Sequence, residues 1–499
     1  MPKSTATNSI QLQPRQVIGV AMGYLALFFA SQSVMVLALP FYQMTLAVDP
    51  LLLALALTLP MLLGTALSPW LGAYSDQFRS RFGRRRPFLL VGTLVCAASF
   101  AAIWQVPPTW PMAWQLGFFA SLCLVFFAAL PLMAVPLSSL VFEQTDDEQQ
   151  RTLLFGVTSA VQKIGALGYQ WLVPFSQMAV FGSLVNGIRS VGLLVATLLI
   201  ALPGLLATIF SKEKPLNVGE NDANRSDHIT EQEHAKKTGA NEGSSLSHSF
   251  RRLYQPGPLP WLFAICFLQL GGCAWVAGAD YYLLVYSMFA GDIVAGSWWK
   301  AILSTSYALV GLLSVPVLAK LSGRFGIWRV LVGVFSLNAL GGLAKWLLFT
   351  PDIGYWLLLD ALLCSPAWTA MVMLIPPLLT KTSRVSLQHE ASQNEAAGQK
   401  EVGCQKDVSQ HESSAYGEVS GLYHWVVSGS GAIAMLLAGA TLNWSGFSAE
   451  LGAAQSEQTL LLLRLVLAGG TFACSLGILL LLARLRCYPS FRSVHDGHY

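Results

Sequence analysis

Twelve apolar runs, near residues 17–40, 50–73, 87–106, 112–139, 152–177, 187–210, 260–287, 297–320, 327–350, 353–380, 418–443 and 459–484, limit what this chain can fold into. Each approaches or exceeds the about 20 mostly apolar residues that a helix needs to cross a bilayer. Backbone groups in lipid must satisfy one another, so runs of this length become helices. With 54% hydrophobic and 11% charged residues over 499 positions, a soluble domain is excluded. The expected fold class is an all-α membrane protein of twelve transmembrane helices in two six-helix bundles. The opening residues MPKSTATNSIQLQPRQ lack a compact leader with a small-residue cleavage site, so the first run is expected to remain as a span.

Charge between the runs sets the expected orientation. The turn SDQFRSRFGRRRPFLL, residues 75–90, packs Arg79, Arg81, Arg84, Arg85 and Arg86 between two spans. Cationic loops resist translocation and stay in the cytoplasm. With both termini inside, the 30 Lys and Arg residues fall almost wholly on that side: only Arg189 and Lys300 are assigned to outside loops, and only Lys163, Lys345 and Arg464 to spans. The expected location is the cytoplasmic (inner) membrane, multi-pass, with both termini cytoplasmic and the lipid bilayer as partner. The net charge of +4 is then loop bias. Basic residues are not interleaved with aromatics as in nucleic-acid binders, so no nucleic-acid partner is indicated.

The chain divides by composition into an N-terminal bundle at 1–210, a polar linker at 211–259, and a C-terminal bundle at 260–499 that carries a polar insertion at 381–416. The linker mixes charges with Ser, Asn and Gly and cannot build a core. RFGRR at 81–85 is echoed by RFGIW at 324–328, an internal repeat of the kind found in parallel six-helix transporter halves. The eight cysteines show no CxxC or Cys/His spacing. They read as small apolar fillers, and neither disulfides nor metal sites nor other cofactors are expected.

Three motifs carry a family resemblance. GAYSDQFRSRFGRRRPFLLVG is similar to the loop between the second and third helices of the glycoside–pentoside–hexuronide:cation symporter family, within the major facilitator superfamily, and of the related sucrose transporters. VPLSSLVFEQTDDEQQRT at 135–152 resembles the family's fourth-to-fifth helix junction, and ADYYLLVYSMFAGD at 279–292 its seventh helix. The resemblance implies alternating access and a small-molecule solute, a sugar or glycoside, with a coupling proton or other cation. Departures from the family pattern are equally informative. Melibiose-permease-like members carry two aspartates one turn apart on the second helix, where this chain has Gly64 and Ser68, which supply no anionic oxygens for a cation. Ala134 stands where sugar-binding members place an acid or Asn before Pro136, and Ser428 where melibiose permease has a lysine.

The cytoplasmic turns read as a gate. Asp76 can accept hydrogen bonds from a helix N-terminus or an arginine, and Gly83 permits a tight turn. Glu143, Asp146, Asp147 and Arg151 form an acidic counterpart to Arg79, Arg81, Arg84, Arg85 and Arg86, so ion pairs there can make and break as the halves rock. The alternative is that these arginines anchor topology and bind anionic headgroups.

Charges inside spans cost about 2.5–3.5 kcal/mol each on insertion scales, so each needs a partner, a pathway or an escape to the headgroups. Lys163 follows Arg151 far enough along the helix, at about 1.5 Å per residue, to sit about 18 Å from the cytoplasmic end. With Gln162, Tyr169 and Gln170 it gives the fifth helix a polar stripe, either cavity-lining or satisfied by carbonyls in a packed interface. Asp280 shares the seventh helix with Gln269, Trp275, Tyr281, Tyr282 and Tyr286, and aromatic rings beside a carboxylate suit sugar faces or cations. An interfacial acid open to water is the other reading. Asp360, Trp368, His424 and Trp425 are lesser candidates, and Ser31 and Gln32 are candidate lining residues on the first helix. Lys345 and Arg464 are expected on peripheral helices near the outer face, snorkelling to headgroups, so that Lys345→Ala would be nearly silent.

No Walker loop, catalytic triad or HExxH motif is present in the sequence, so an enzymatic or ATP-driven role has no support. Secondary transport of a sugar-like solute leads. Two rivals remain: a lipid-like or amphipathic solute, and a non-transporting sensor or assembly factor on the same scaffold.

Overall fold

The computed structural model describes residues 13–77, 82, 83, 85–143, 148–211, 257–351, 353–396, 426, 427, 429–486 and 488. They form helical rods in chain order: α1 Pro14–Thr45, α2 Pro50–Gln77, α3 Arg86–Ile103, α4 Met112–Glu143, α5 Glu148–Gly168, α6 Leu184–Phe210, α7 Pro258–Met288, α8 Ile293–Phe325, α9 Ile327–Leu348, α10 Leu359–Ala396, α11 at 429–444 and α12 Glu457–Leu485. Among the described residues there is no strand, and ten helices are long and apolar enough to cross a membrane. The two rods outside that ten are α5 and α11. The polar stripe dilutes α5, and α11 borders residues outside the described set.

Local sequence sets the ends and bends. Pro14 opens α1, and Gln13 and Gln16 cap each other's backbone there, the reciprocal arrangement that satisfies two orphan N–H groups. Asp49 precedes Pro50 and accepts the Leu52 N–H at 2.9 Å, and Asp292 accepts the N–H groups of Val294 and Ala295 at 2.8 and 3.1 Å. Both carboxylates satisfy N–H groups left open in a helix's first turn. Asp292 closes the third family-like motif, and capping α8 is its structural role. Pro131 and Pro136 lie inside α4 and Pro316 inside α8, where the missing N–H bends a helix.

The internal repeat is visible in the backbone. Gly83 and Gly326 take φ values of 103° and 82°, and each glycine leads into a helix, α3 or α9. An L side chain is strained at such φ, so the glycine of the echo is required by the backbone at both places.

α7 is the most irregular rod. It contains π-helical stretches at Leu268–Cys273 and Leu283–Met288, with a break at Gly278 between them. Such bulges widen one turn and concentrate at functional positions.

Contacts divide the chain into two compact units. The first comprises Met1–Pro215 with Leu284–Ala308 and Ala438–Leu460, and the second comprises Leu216–Leu283, Leu309–Leu437 and Leu461–Tyr499. α7 passes from the second to the first between Leu283 and Leu284. The first unit packs Ala26, Leu89, Met133, Leu137 and Ala207 where α1, α3, α4 and α6 meet, beside a buried aromatic group of Phe41, Tyr42, Phe100, Trp104 and Phe126. The second packs Leu262, Phe335, Met371, Ile375, Ile478 and Leu482 from α7, α9, α10 and α12. Large apolar side chains also face outward, including Leu313, Leu347, Val372 and Ile209. An exposed apolar surface on this scale requires lipid as its solvent.

Three expectations change. Arg189 and Lys300 lie within α6 and α8 rather than in loops, and the Arg189 guanidinium donates to the Val106 carbonyl at 2.8 Å. The polar segment at 381–416 begins as a continuation of α10, which runs to Ala396. Lys345 does not snorkel: its side chain is buried against α10, and α9 is therefore no bare lipid-facing support.

Candidate functional site

In the first unit, α1 and α5 approach closely because Gly165 has no side chain: a Cβ there would lie 2.7 Å from the Phe28 ring. The Phe28 ring meets Tyr169 edge-on, with centroids 5.8 Å apart. Phe28, Ser31, Gln32 and Met35 share one helical face, and the last three are exposed. Lys163 on α5 is exposed too, while Gln162, Tyr169 and Gln170 are half-buried. Facing lipid, exposed polar groups on two touching membrane helices would carry the full insertion cost.

A second group in this unit surrounds the short helix Leu172–Ser176 that follows α5. The Trp171 indole N–H donates to Thr305 Oγ1 at 2.9 Å, and its ring meets Trp298 edge-on at 5.4 Å. Gln177 Nε2 donates to Ser297 Oγ at 3.2 Å. Asn443 Nδ2 donates to Asp49 Oδ2 at 2.8 Å, tying α11 to the cap of α2. Gly439 of α11 lies against the Pro50 carbonyl, where a Cβ would stand 2.9 Å away. Tyr286 packs on Phe447 with ring centroids 5.0 Å apart. These contacts join segments distant in sequence, and sequence reasoning did not single them out, apart from naming Tyr286.

The second unit holds the buried charge. Lys345 Nζ of α9 lies 2.6 Å from both carboxylate oxygens of Asp360 on α10, with the two side chains 7% and 1% exposed. The ammonium also sits 5.5 Å from the Phe349 ring centre. Cys364 Sγ–H donates to Asp360 Oδ1 at 3.5 Å, and the charge of Asp280 on α7 acts on the same ammonium. Asp360, a lesser candidate by its depth, is buried and paired, and Lys345, expected at the headgroups, is its partner. Paired charge removes the reason to snorkel, since the ammonium finds its counter-ion inside the protein.

Gln269 is fully buried in the first π stretch of α7. Its Oε1 accepts from Cys273 Sγ–H at 3.4 Å, and its Nε2 has no hydrogen-bond partner among the described residues. Asp280 and Trp275 are half-buried, whereas Tyr281 and Tyr282 are buried. The six described cysteines are buried, as filler residues would be. Arg79, Arg81, Arg84, Asp146, Asp147, His424 and Trp425 lie outside the described residues. Asp76, Glu143 and Arg151 are placed on α2, α4 and α5 by their backbones. Arg85, at the start of α3, is buried, and Arg86 is half-buried.

At the second-helix cation position of melibiose-like proteins, Gly64 packs against α4 so tightly that a Cβ would lie 2.2 Å from the Phe127 carbonyl oxygen. A carboxylate cannot be accommodated there without moving a helix.

A family model described as MFS/sugar transport protein matches residues 19–488. No curated protein sequence matches the chain. Among solved structures, the chain is similar to the nucleoside transporter NupG at 13% identity, covering 95% of this chain and 100% of that one with a TM-score of 0.60. It is similar to tetrameric PepTSo2 at 14% identity, over 96% and 99% of the two chains, with a TM-score of 0.61. A bacterial homologue of the iron transporter ferroportin, in its inward-facing state, aligns at 12% identity over 96% and 100% with a TM-score of 0.60. Identities this low establish a shared fold and leave chemistry to the residues.

Proposed function

The chain belongs to the MFS/sugar transport protein family and is a multi-pass membrane transporter of a small solute rather than an enzyme, and from that premise we propose that it carries a sugar or glycoside by alternating access, coupled to protons. The observation that carries the solute class is the family match over residues 19–488. The three motifs that resemble the glycoside–pentoside–hexuronide:cation symporters support the same class.

Protons are favoured over sodium because Gly64 is packed shut against Phe127. The chain has buried titratable groups elsewhere, at Lys345 and Asp360. In the first unit, Gln32 with Gln162, Lys163, Tyr169 and Gln170 offers polar lining for the solute. In the second, Gln269, Trp275 and Asp280 on the irregular α7 offer a donor, a ring and an acid. Sugar recognition uses this mixture of aromatic faces and convergent polar groups.

The basic-residue bias supports a cytoplasmic-membrane orientation with both termini inside. On that orientation, the contacts of Trp171, Gln177 and Asp49 with Thr305, Ser297 and Asn443 lie on the outer side and must break for solute to enter from there. The arginine turn at 79–86 and the acidic turn at 143–151 serve the inner side. The bundles 1–210 and 260–499, the linker 211–259 and the insertion 381–416 are the moving parts and connections of this reading.

Purified protein in proteoliposomes tests it. Radiolabelled sucrose, maltose, melibiose and glucose should be screened with and without an inward proton gradient. Gradient-driven accumulation of at least one sugar is expected. No uptake or counterflow of any sugar in that panel, from protein shown to be folded, would sink the sugar assignment.

A further inference from the structure

Lys345 and Asp360 are both withdrawn from solvent, 6% and 1% exposed as residues. Neither charge can be left alone in such surroundings, so the pair separates only if the carboxylate is neutralised or the ammonium meets another anion. The structure provides the second anion. Asp280 stands on α7, whose Leu262, Phe263 and Cys266 pack in one core with residues of α9 and α10, so that its charge acts on Lys345, and it lies in the short stretch Ala279–Tyr282 between the two π-helical segments of α7. A rod interrupted on both sides of its acid can shift that acid with little disturbance of the rest.

We propose that Asp360, Lys345 and Asp280 form a proton-binding site in which protonation of Asp360 releases Lys345 toward Asp280. One proton from the aqueous phase binds the Asp360 carboxylate, forming an O–H bond, and the charge-assisted bonds to Lys345 break. The ammonium keeps its own protons and moves into the field of the Asp280 carboxylate. Release of the proton restores the original pair, so no charge is created or lost beyond the proton taken up. Because Asp280 belongs to α7 just before that rod passes from one unit to the other at Leu283, the same event pulls on the element best placed to rearrange.

Other polar groups around the ammonium accommodate this role. Cys364 donates to Asp360 Oδ1, and Cys273 and Cys474 belong to the same electrostatic cluster. The Cys364 thiol is a weak donor that holds the carboxylate without competing for its proton. Phe349 offers its ring to the ammonium, and Arg464 of α12 lies over the neighbouring Trp346 ring at 5.9 Å.

The inference rests on the proton-coupled reading above and names its site, so the tests separate the two. Infrared titration of the purified protein in lipid needs no sugar. A carbonyl band of a protonated buried carboxyl should appear on acidification and be lost in the neutral pair Lys345→Gln/Asp360→Asn, which keeps the size of both side chains. An unchanged band in that double variant would overturn the site. In proteoliposomes, the double variant should retain sucrose or maltose counterflow while gradient-driven accumulation falls about tenfold or more. Wild-type accumulation in the double variant would equally refute it. If the double variant does not fold, Asp280→Asn leaves the buried pair intact and carries the test in the infrared titration: with no second anion for Lys345 to meet, the protonated-carboxyl band should appear only at lower pH, and a band that appears at the wild-type pH rejects the proposal. Absence of sugar movement in wild-type protein would count against the sugar reading alone, with the infrared result still deciding the proton site.

Discussion

Lys345 and Asp360 face each other across the turn between α9 and α10, the ammonium 2.6 Å from the carboxylate and both side chains buried. This geometry predicts an asymmetry in stability. Removing one partner strands the other charge, which costs about 3–5 kcal/mol, whereas replacing both by apolar groups of similar size is about neutral or stabilising. Lys345→Ala and Asp360→Ala should therefore each lower the unfolding temperature of detergent-solubilised protein markedly. Lys345→Met/Asp360→Leu should recover most of the loss. Additive losses in the double variant would show that the two side chains are not a coupled pair.

Gly64 fixes the spacing of α2 and α4. Because a Cβ would meet the Phe127 carbonyl at 2.2 Å, Gly64→Ala forces a helix to move, an overpacking cost of about 1–3 kcal/mol. Gly64→Asp should be worse, adding an uncompensated carboxylate in the same closed space. Thermal unfolding of the two variants checks this order. The same packing predicts that sugar uptake, measured with sodium replaced by choline at constant pH, is unchanged. A saturable sodium stimulation abolished by Ser68→Ala would contradict it.

Much of this architecture was legible in the sequence because apolar run length reports directly on lipid. The RFG echo also carried real geometry, since Gly83 and Gly326 share a left-handed backbone. Lys345 was misread because rise counting measures depth and says nothing about what lies beside a residue. A usable signal was present: Lys345 stands in the last turn of α9 and Asp360 in the first turn of α10, so the pairing of two consecutive helices brings them to the same end. Trp171 with Thr305 and Asp49 with Asn443 had no such local cue, because pairs so far apart in sequence meet only through tertiary packing. The pairing of Gln269 with Cys273 is one turn long and readable, but its complete burial is not.

The contacts around Trp171 should act as a closure that transport must break. Gln177 and Ser297 already lie within hydrogen-bond reach, Nε2 to Oγ 3.2 Å. Gln177→Cys/Ser297→Cys should form a disulfide under mild oxidant, abolishing sugar uptake, and reductant should restore it. Each single variant should retain activity. Undiminished uptake by fully cross-linked protein would mean that this face need not open.

Orientation is testable at positions with known exposure. Val180 and Tyr355 are 88% and 76% exposed at one set of turns, and Phe82 is 72% exposed at the other. In intact cells, Val180→Cys and Tyr355→Cys should react with a membrane-impermeant thiol reagent, while Phe82→Cys should react only after permeabilisation. The native span cysteines are buried and give little background. The opposite pattern would invert the topology inferred from the arginines.

Gln269 offers a separation of stability from function. Its Nε2 is buried without a hydrogen-bond partner among the described residues, while its Oε1 accepts from Cys273. An unsatisfied buried donor costs about 1–3 kcal/mol, so Gln269→Met, which keeps the length and removes the amide, should leave the unfolding temperature unchanged or raise it. If the amide is retained to bind a solute hydroxyl or the water that precedes it, the same substitution should weaken sugar uptake, chiefly through a higher half-saturation concentration. One lost hydrogen bond to a neutral group corresponds to about 0.5–1.5 kcal/mol, or roughly a two- to tenfold change. Stability and half-saturation should thus move independently in this variant. A destabilised protein with unaltered half-saturation would instead make Gln269 a packing residue, held in place by its bond to Cys273.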